Sequence, residues 1–220
     1  MRGLLTTLVF LLPTSRLKVK ILNRLGHAIH PASIVGINLV RGLQRLEIAE
    51  GAGIGNFNVF LGVQRIRLGV GARVHYFNFF SIGYSGPSES ERQEYRNTLQ
   101  MGEHSRIITL HNIDCTGGFL VGENCWVTGL RSTVLTHAFD PVNGGIIVAP
   151  VELEKGSVVA TNCTLLPGST VGEGALLAAG STLWTGQQLA AGSLHGGVPA
   201  RRLSPIKIND WVYSWQRYGG

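Results

Sequence analysis

The chain has 220 residues, of which 44% are hydrophobic and 15% are charged, a composition that fits a globular domain and excludes a disordered protein. Lys and Arg outnumber Asp and Glu by 19 to 13, and this positive charge suits an anionic membrane or an anionic cofactor. No basic run is interleaved with aromatic residues, so we do not expect nucleic acid as a partner. The three cysteines predict free thiols in a reducing compartment, not a disulfide framework.

The N-terminus begins with an apolar run at residues 4–12, followed by Pro13 and by four basic residues between positions 16 and 24. The run is shorter than the roughly 20 residues that span a bilayer. No small-residue cleavage site follows it, which argues against a signal peptide. We predict a helical segment over 1–26. This segment either packs within a trimer or lies on an anionic membrane face through residues 1–24.

A nine-residue pattern recurs along the chain, starting at residues 46, 66, 99, 119, 151 and 169. Each copy has an aliphatic residue at its third position, another six residues later, and a small residue between them. The six-residue step continues unbroken from Leu153 to Leu189. A triangular coil with a short strand on each side, about 18 residues in all, explains this period. A β-sandwich explains alternation but no fixed period, so we predict an all-β parallel β-helix over residues 27–203.

The repeat resembles the hexapeptide-repeat acyltransferase family, whose pattern is aliphatic, small, two variable, small, variable. Its members fold as left-handed β-helices, an exception to the usual right-handed crossover. Residues 196–202, Gly-Gly-Val-Pro-Ala-Arg-Arg, resemble the closing signature of this family, with Val198 in place of its asparagine. The resemblance implies an acetyl-CoA-dependent acyltransferase that assembles as a homotrimer, with the active site between two subunits.

Two interruptions break the repeat, because the starts of the pattern are separated by 20, 33, 20, 32 and 18 residues. The first excess is a polar segment at 84–97, which we predict to be a surface loop. It is either simply solvated or contacts the acceptor or a neighbouring subunit. The second excess, at 132–150, contains a histidine, an aspartate and two glycines. Because a solenoid carries function where its period breaks, this second loop is the candidate active site.

The second loop resembles the active-site loop of hexapeptide-repeat sugar O-acetyltransferases, in which the histidine of a Thr-His segment is the catalytic base. Thr136 and His137 stand at those positions, so the resemblance implies His137 as the base that takes the hydroxyl proton. Asp114 or Asp140 would hold the imidazole in the required tautomer. His111 occupies a position where the repeat expects a small side chain. It is either a second active-site residue or a structural one that needs a buried partner.

The family resemblance also implies a site for CoA on the last coils. Arg201 and Arg202 are candidates for its phosphates, because guanidinium matches phosphate geometry, and the alternative is a surface basic pair. The pantetheine arm would lie beside small side chains, with an exposed tryptophan near the adenine or near a neighbouring subunit; these residues are Ala160, Ala178, Ala179 and Trp184.

Two further expectations concern metals and the C-terminus. We expect no metal ion, because His75, His104 and His111 lack the close pair used by metal hydrolyases of this fold. We predict a helical cap over residues 204–220, since four apolar residues recur there at helical spacing: Ile208, Trp211, Val212 and Trp215.

Together these features predict an acetyl-CoA-dependent O-acetyltransferase that acts on a sugar or glycan hydroxyl in polysaccharide biosynthesis. It would work in the cytoplasm, with the inner face of the membrane as a further option. An amino-sugar N-acetyltransferase on the same fold is one alternative. A non-catalytic solenoid scaffold is another, although a scaffold has no need of His137 in a long loop.

Overall fold

A computed structural model describes residues 2–86 and 93–213, with Gln93 and Trp211 described by their backbone alone. The chain folds as a left-handed parallel β-helix, which confirms the predicted fold class. Three sheets form the faces of a triangular prism, and their strands are parallel except for the last strand of the second sheet. Residues 87–92 of the first predicted loop lie outside the described residues, as do residues 214–220.

The three faces are built from two- to five-residue strands in the described ranges. The first face contains Ala28–Ile29, Arg45–Ile48, Arg65–Leu68, Thr98–Met101, Phe119–Val121, Val151–Leu153, Thr170–Val171 and Gln188–Leu189. The second face contains Ile34–Val35, Gly53–Ile54, Arg73–Val74, Arg106–Ile107, Trp126–Val127, Val158–Val159, Leu176–Leu177, Ser193–Gly196 and Arg201–Pro205. The third face contains Leu39–Arg41, Val59–Leu61, Phe79–Ser81, Asn112–Asp114, Thr133–Val134, Thr164–Leu165 and Thr182–Leu183.

The prism interior is filled by the aliphatic and aromatic side chains that define the repeat. Strand alternation points every second residue inward, and burial of each such side chain contributes about 1.5–3 kcal/mol. In the early coils the inward residues are large: the rings of Phe60 and Phe80 stack with centroids 4.6 Å apart. Residues paired between neighbouring strands of the first face are 20 positions apart in the sequence in these coils, as Leu46 and Ile66 are. In the last coils they are 18 positions apart.

The corner between the second and third faces contains a ladder of buried asparagines, which the sequence analysis did not anticipate. The side-chain oxygen of Asn38 accepts the backbone N–H of Asn58 at 2.8 Å, and that of Asn58 accepts the N–H of Asn78 at 2.9 Å. The ladder continues to the backbone N–H of His111, which donates to Asn78 at 3.0 Å. These bonds satisfy polar groups that the fold buries.

Two helices stand at the N-terminal end of the prism, α1 (Arg2–Phe10) and α2 (Arg16–Arg24). The Ser15 hydroxyl caps α2 by accepting the backbone N–H of Lys18 at 3.1 Å. The Lys18 side chain is buried and donates to the carbonyl of Phe10, which ends α1, and to that of Gly36 in the first coil. Lys18 therefore ties both helices to the β-helix, and its burial lowers its pKa to about 8.

The C-terminal segment stays attached to the second face. Arg201–Pro205 runs antiparallel to Ser193–Gly196, and a 3₁₀ turn follows at Asp210–Tyr213. The Tyr213 hydroxyl donates to the carbonyl of Gly156 at 2.8 Å and holds this turn on the prism. The helical cap predicted over 204–220 is therefore wrong for its first residues, because 204–205 still belong to the last strand and 206–209 are irregular. Among the described residues of the cap, only the turn at Asp210–Tyr213 is helical, and Trp215 lies outside the described residues.

None of the helices in the described part of the chain is long and apolar enough to cross a bilayer.

Candidate active site

Both interruptions leave the prism at the same corner, where the third face gives way to the first. The third-face strands Phe79–Ser81, Asn112–Asp114 and Thr133–Val134 are neighbours in the sheet. The first loop follows the earliest of these strands and the second loop follows the last. Residues 114–118 belong to the coil between them, so both loops pack against this short segment.

The second loop contains a β-hairpin in which His137–Phe139 pairs antiparallel with Ile146–Val148. The excursion starts later than the predicted residue 132, because Thr133–Val134 still belongs to the third face. The inward residues Val127 and Val134 are seven positions apart instead of six, which conceals this strand in the sequence pattern.

His137 is held by Asp114. The ring Nδ1 lies 2.8 Å from a carboxylate oxygen, Oδ2, of Asp114. Asp114 points outward from its strand because its neighbour Ile113 points into the prism. The loops cover the carboxylate, whose side chain is 6% exposed, whereas the His137 side chain is 25% exposed. The pair therefore joins a buried carboxylate to an imidazole that solvent reaches.

Two threonines fix the Asp114 carboxylate. The Thr116 hydroxyl and backbone N–H donate to Oδ1 at 2.6 and 3.1 Å. The Thr136 hydroxyl and backbone N–H donate to Oδ2 at 2.7 and 2.8 Å. Burial would raise the pKa of Asp114, but the hydrogen bonds from Thr116, Thr136 and His137 outweigh it and lower the pKa below its usual value. The carboxylate is thus ionised at neutral pH and can only accept hydrogen bonds.

This carboxylate determines which tautomer the imidazole adopts. The ionised Asp114 carboxylate can only accept hydrogen bonds. Nδ1 of His137 must therefore carry a proton and donate it to Asp114 across the 2.8 Å contact. In the neutral ring, Nε2 then has a free lone pair. The imidazole can therefore accept a proton at Nε2, and the Asp114 carboxylate stabilises the imidazolium that results. This is the chemistry of a general base held by an orienting carboxylate.

Two glycines allow the loops to approach the pair. A methyl group built on Gly83 would collide with the His137 ring, so the first loop passes directly beside the imidazole. The backbone N–H of Gly83 donates to the Thr116 hydroxyl at 2.9 Å. A methyl group on Gly117 would lie 2.6 Å from the carbonyl oxygen of Ala149, where the second loop returns. Glycine is required at both positions by close packing and not by a turn.

Asp140 and His111 lie away from the pair. Asp140 is at the hairpin tip, where it accepts the backbone N–H groups of Val142 and Asn143 at 3.0 Å and does not contact His137. His111 is buried in the asparagine corner, and its Nδ1 accepts the backbone N–H of Ser132 at 3.1 Å. Burial lowers the pKa of His111 to about 4. Of the two carboxylates considered from the sequence, the structure brings Asp114 to the imidazole.

The predicted CoA residues cluster on the last coils. Ala160 and Ala178 stack on the corner between the second and third faces, and Ala179 beside them is exposed. Arg201 pairs in the sheet with Gly196. Gly196 in turn lies close to Ala178, since a methyl group added to Gly196 would be 3.4 Å from the Ala178 side chain. An arginine and a run of small side chains thus share this corner.

The other predicted groups lie nearby or in the core. Trp184 follows the last third-face strand and is 55% exposed. The thiols of Cys115, Cys125 and Cys163 are buried, and burial raises their pKa. Across residues 2–86 and 93–213, no three His, Cys, Asp or Glu side chains are grouped as metal ligands.

Comparisons with solved structures support the fold. A mutant of AntD, an N-acyltransferase from Bacillus cereus crystallised with dTDP-4-amino-4,6-dideoxyglucose and coenzyme A, matches with a TM-score of 0.57 and 16% identity over 94% of this chain and 97% of that chain. A candidate acetyltransferase of Bacillus cereus matches with a TM-score of 0.54 and 15% identity over 80% and 86%. The predicted likeness to hexapeptide-repeat acetyltransferases is confirmed for the fold.

A hexapeptide-repeat acetyltransferase of Vibrio cholerae is also similar, at 22% identity and a TM-score of 0.45, with 50% of this chain and 64% of that chain covered. No protein-family model matches the sequence, and no curated protein matches it either.

Two residues of this site, Thr116 and Gly83, were not predicted from the sequence. A signal for Thr116 exists in the spacing Asp114-x-Thr116, which places a second polar group just beyond the end of one strand. Gly83 carries no such signal, because its proximity to His137 arises only when three coils are stacked.

Proposed function

We propose that the protein is an acetyl-CoA-dependent O-acetyltransferase with His137 as its general base and Asp114 as the residue that orients it. The observation that carries this proposal is the 2.8 Å contact between His137 Nδ1 and a carboxylate that two threonines keep ionised. A buried structural histidine would need no such support, and a scaffold would need no partly exposed imidazole.

The chemistry follows from what acyl transfer to a hydroxyl requires. A hydroxyl is a weak nucleophile at neutral pH, so His137 Nε2 accepts its proton as the oxygen attacks. Acetyl-CoA supplies the activated acetyl thioester. The protonated His137 then returns its proton to the departing thiolate, while Asp114 stabilises the imidazolium. No acyl-enzyme is required, in keeping with three cysteines that are buried in the prism.

Small side chains and two exposed arginines lie together on the last coils, and they support a CoA site there. The side chains of Ala160, Ala178 and Ala179 project little from the surface of this corner, so an extended pantetheine arm could lie close to the backbone there. Arg201 and Arg202 are exposed on the adjoining strand, within reach of its phosphates. Trp184 offers an exposed ring for the adenine or for a neighbouring subunit.

We propose a sugar or glycan as the acceptor. AntD, whose fold is similar, was crystallised with a nucleotide-linked amino sugar and coenzyme A. In this chain the start of the first loop, at Gly83, lies against the His137 ring, where an acceptor would approach Nε2. Because AntD transfers to nitrogen, an amino sugar is the second candidate acceptor. A general base with a fixed tautomer favours the hydroxyl.

A homotrimer is part of the proposal. Phe57 and Phe77 stack at 5.3 Å on the outside of the prism, and with exposed Phe79 they form an apolar corner that a neighbouring subunit would cover. Light scattering should give a trimer. If His137 of one subunit works with CoA on the next, mixing His137→Ala subunits with Arg201→Ala/Arg202→Ala subunits should restore part of the activity at acetyl-CoA concentrations below the KM of the arginine variant. A fully active monomer would contradict the trimer.

The location that suits this reaction is the cytoplasm, with the inner face of the membrane as a further option. Acetyl-CoA and free thiols are both expected in a reducing compartment. A lipid-linked sugar would bring the acceptor to that surface.

A screen of nucleotide sugars and glycans with acetyl-CoA, followed by the release of free CoA thiol, tests the proposal. Hydroxyl and amino versions of each sugar should be paired, with His137→Ala as the background. We expect transfer to a hydroxyl that depends on His137. Exclusive transfer to the amino sugars would favour the N-acetyltransferase instead, and undiminished transfer by His137→Ala would contradict the assigned base.

A further inference from the structure

The positive charge of the protein is concentrated at one end of the chain. Residues 1–46 contain seven of the 19 Lys and Arg residues and none of the 13 Asp and Glu residues. The remaining residues are therefore close to neutral as a group. The seven basic residues are Arg2, Arg16, Lys18, Lys20, Arg24, Arg41 and Arg45.

The outer side of α1 is a row of leucines. Thr6, Val9 and Phe10 face the prism and are buried. Three leucines lie on the opposite side of the helix, and two more continue the row in the turn that follows it. All five are between 43% and 67% exposed: Leu4, Leu5, Leu8, Leu11 and Leu12. A contiguous exposed row of this kind marks an interaction surface and not ordinary scatter.

The outer side of α2 is basic. Arg16, Lys20 and Arg24 recur every fourth residue and are exposed, and Leu17 beside them is 64% exposed. Lys18 is different, because its ammonium group is buried among backbone carbonyls. The two helices contact each other, so the leucine row and the basic row lie at the same end of the prism.

We propose that α1 and α2 form a peripheral docking surface for anionic phospholipid. Such a bilayer offers an apolar layer for the leucines and negative headgroups for the basic row within one surface. A second copy of this chain fits less well, because helices packed on the same helices would oppose two segments of like positive charge. The docking surface goes beyond the proposed transfer reaction and does not depend on it.

Co-sedimentation of the full chain with sucrose-loaded vesicles tests the surface without acetyl-CoA or acceptor. Vesicles of phosphatidylcholine with phosphatidylglycerol should bind the protein, and vesicles of phosphatidylcholine alone should bind it roughly tenfold less well. Leu4→Ser/Leu8→Ser and Arg16→Gln/Lys20→Gln should each reduce partition by roughly tenfold.

Matched controls remove similar groups from coils away from the two helices. Leu130→Ser/Leu203→Ser replaces two leucines that are 45% and 61% exposed, and Arg131→Gln/Lys207→Gln removes two exposed charges. Both controls should bind like the unmodified chain, and circular dichroism should show that every variant is folded.

Three results would overturn the inference. The first is equal binding to neutral and anionic vesicles, the second is an equal loss of binding in the controls, and the third is absence of vesicle binding. If the third result comes with dissociation of the oligomer by Leu4→Ser/Leu8→Ser, the leucine row belongs to a contact with a second copy. None of these outcomes touches the assignment of His137, since no turnover is measured.

Discussion

The final coils and the middle coils of the prism use the same repeat in different ways. From Leu153 to Leu189 the inward aliphatics follow one another every six residues, and only short turns separate the strands. Between Phe79 and Pro150 two loops interrupt the coils and cover a carboxylate that faces outward. The regular part supplies a rigid frame, whereas the irregular part carries the groups that can move a proton.

The largest effect is expected from removing the charge that fixes the imidazole. Asp114→Asn should lower kcat by roughly 10²–10⁴, because an amide that donates to Nδ1 would leave the proton on Nε2, where the lone pair is needed. Steady-state kinetics should show little change in the KM for acetyl-CoA. Asp140→Asn is the matched control, since Asp140 contacts only its own turn. Equal losses in both variants would contradict the orienting role of Asp114.

A change in the regular coils should affect stability and not turnover. Leu165→Ala should lower the free energy of unfolding by about 2–5 kcal/mol, because this buried side chain fills the prism. Urea denaturation measures the loss, and kcat well below the melting temperature should stay near that of the unmodified chain. Thr164→Ala, on the outer side of the same strand, should cost within about 0.5 kcal/mol. A loss of turnover in folded Leu165→Ala would contradict the expectation that the regular coils contribute stability and not catalysis.

Substitutions at Arg201 and Arg202 test whether the regular final coils also bind CoA. Arg201→Ala/Arg202→Ala should raise the KM for acetyl-CoA roughly tenfold, with a smaller change in kcat, because phosphate contacts lie far from the reacting carbonyl. Arg41→Ala, an exposed arginine at the opposite end, is the control. An unchanged KM for acetyl-CoA at moderate salt would contradict the proposal that Arg201 and Arg202 bind the CoA phosphates.

Stability should also depend on pH through the buried histidines. Burial lowers the pKa of His27, His75 and His111 to about 4, whereas the pKa of a histidine in the unfolded chain is about 6.5. Between these values the unfolded chain binds more protons, so the free energy of unfolding is highest above pH ~6.5 and falls as the pH is lowered toward ~4. His111→Asn, which continues the asparagine ladder, should reduce this loss between about pH 7 and 5 by about 1–2 kcal/mol. Denaturation curves at the two pH values measure it, and an unchanged loss would show that His111 titrates normally.

The sequence predicted the frame better than the site, for a physical reason. A stacked coil repeats its packing constraint, so the ladder through Leu165 and Leu177 appears directly in the sequence. His137 could be found because it lies in a break of that ladder, although the seven-residue step to Val134 misplaced where the break begins. The choice of Asp114 over Asp140 could not be made, because it depends on which coils become neighbours. The same holds for Gly83, since its contact with His137 joins residues from separate coils.

We expect proton transfer to depend on His137 in the second loop, and structural support at the asparagine corner to depend on His111. His137→Ala and His111→Ala should therefore be compared for kcat and for melting temperature. The account predicts that His137→Ala keeps the fold and loses roughly 10²–10⁴ in kcat. His111→Ala should lose stability, because Ser132 loses the acceptor of its backbone N–H, while the folded fraction retains most of its turnover. Near-normal turnover in His137→Ala, with activity abolished in a folded His111→Ala, would contradict the claim and make His111 the base.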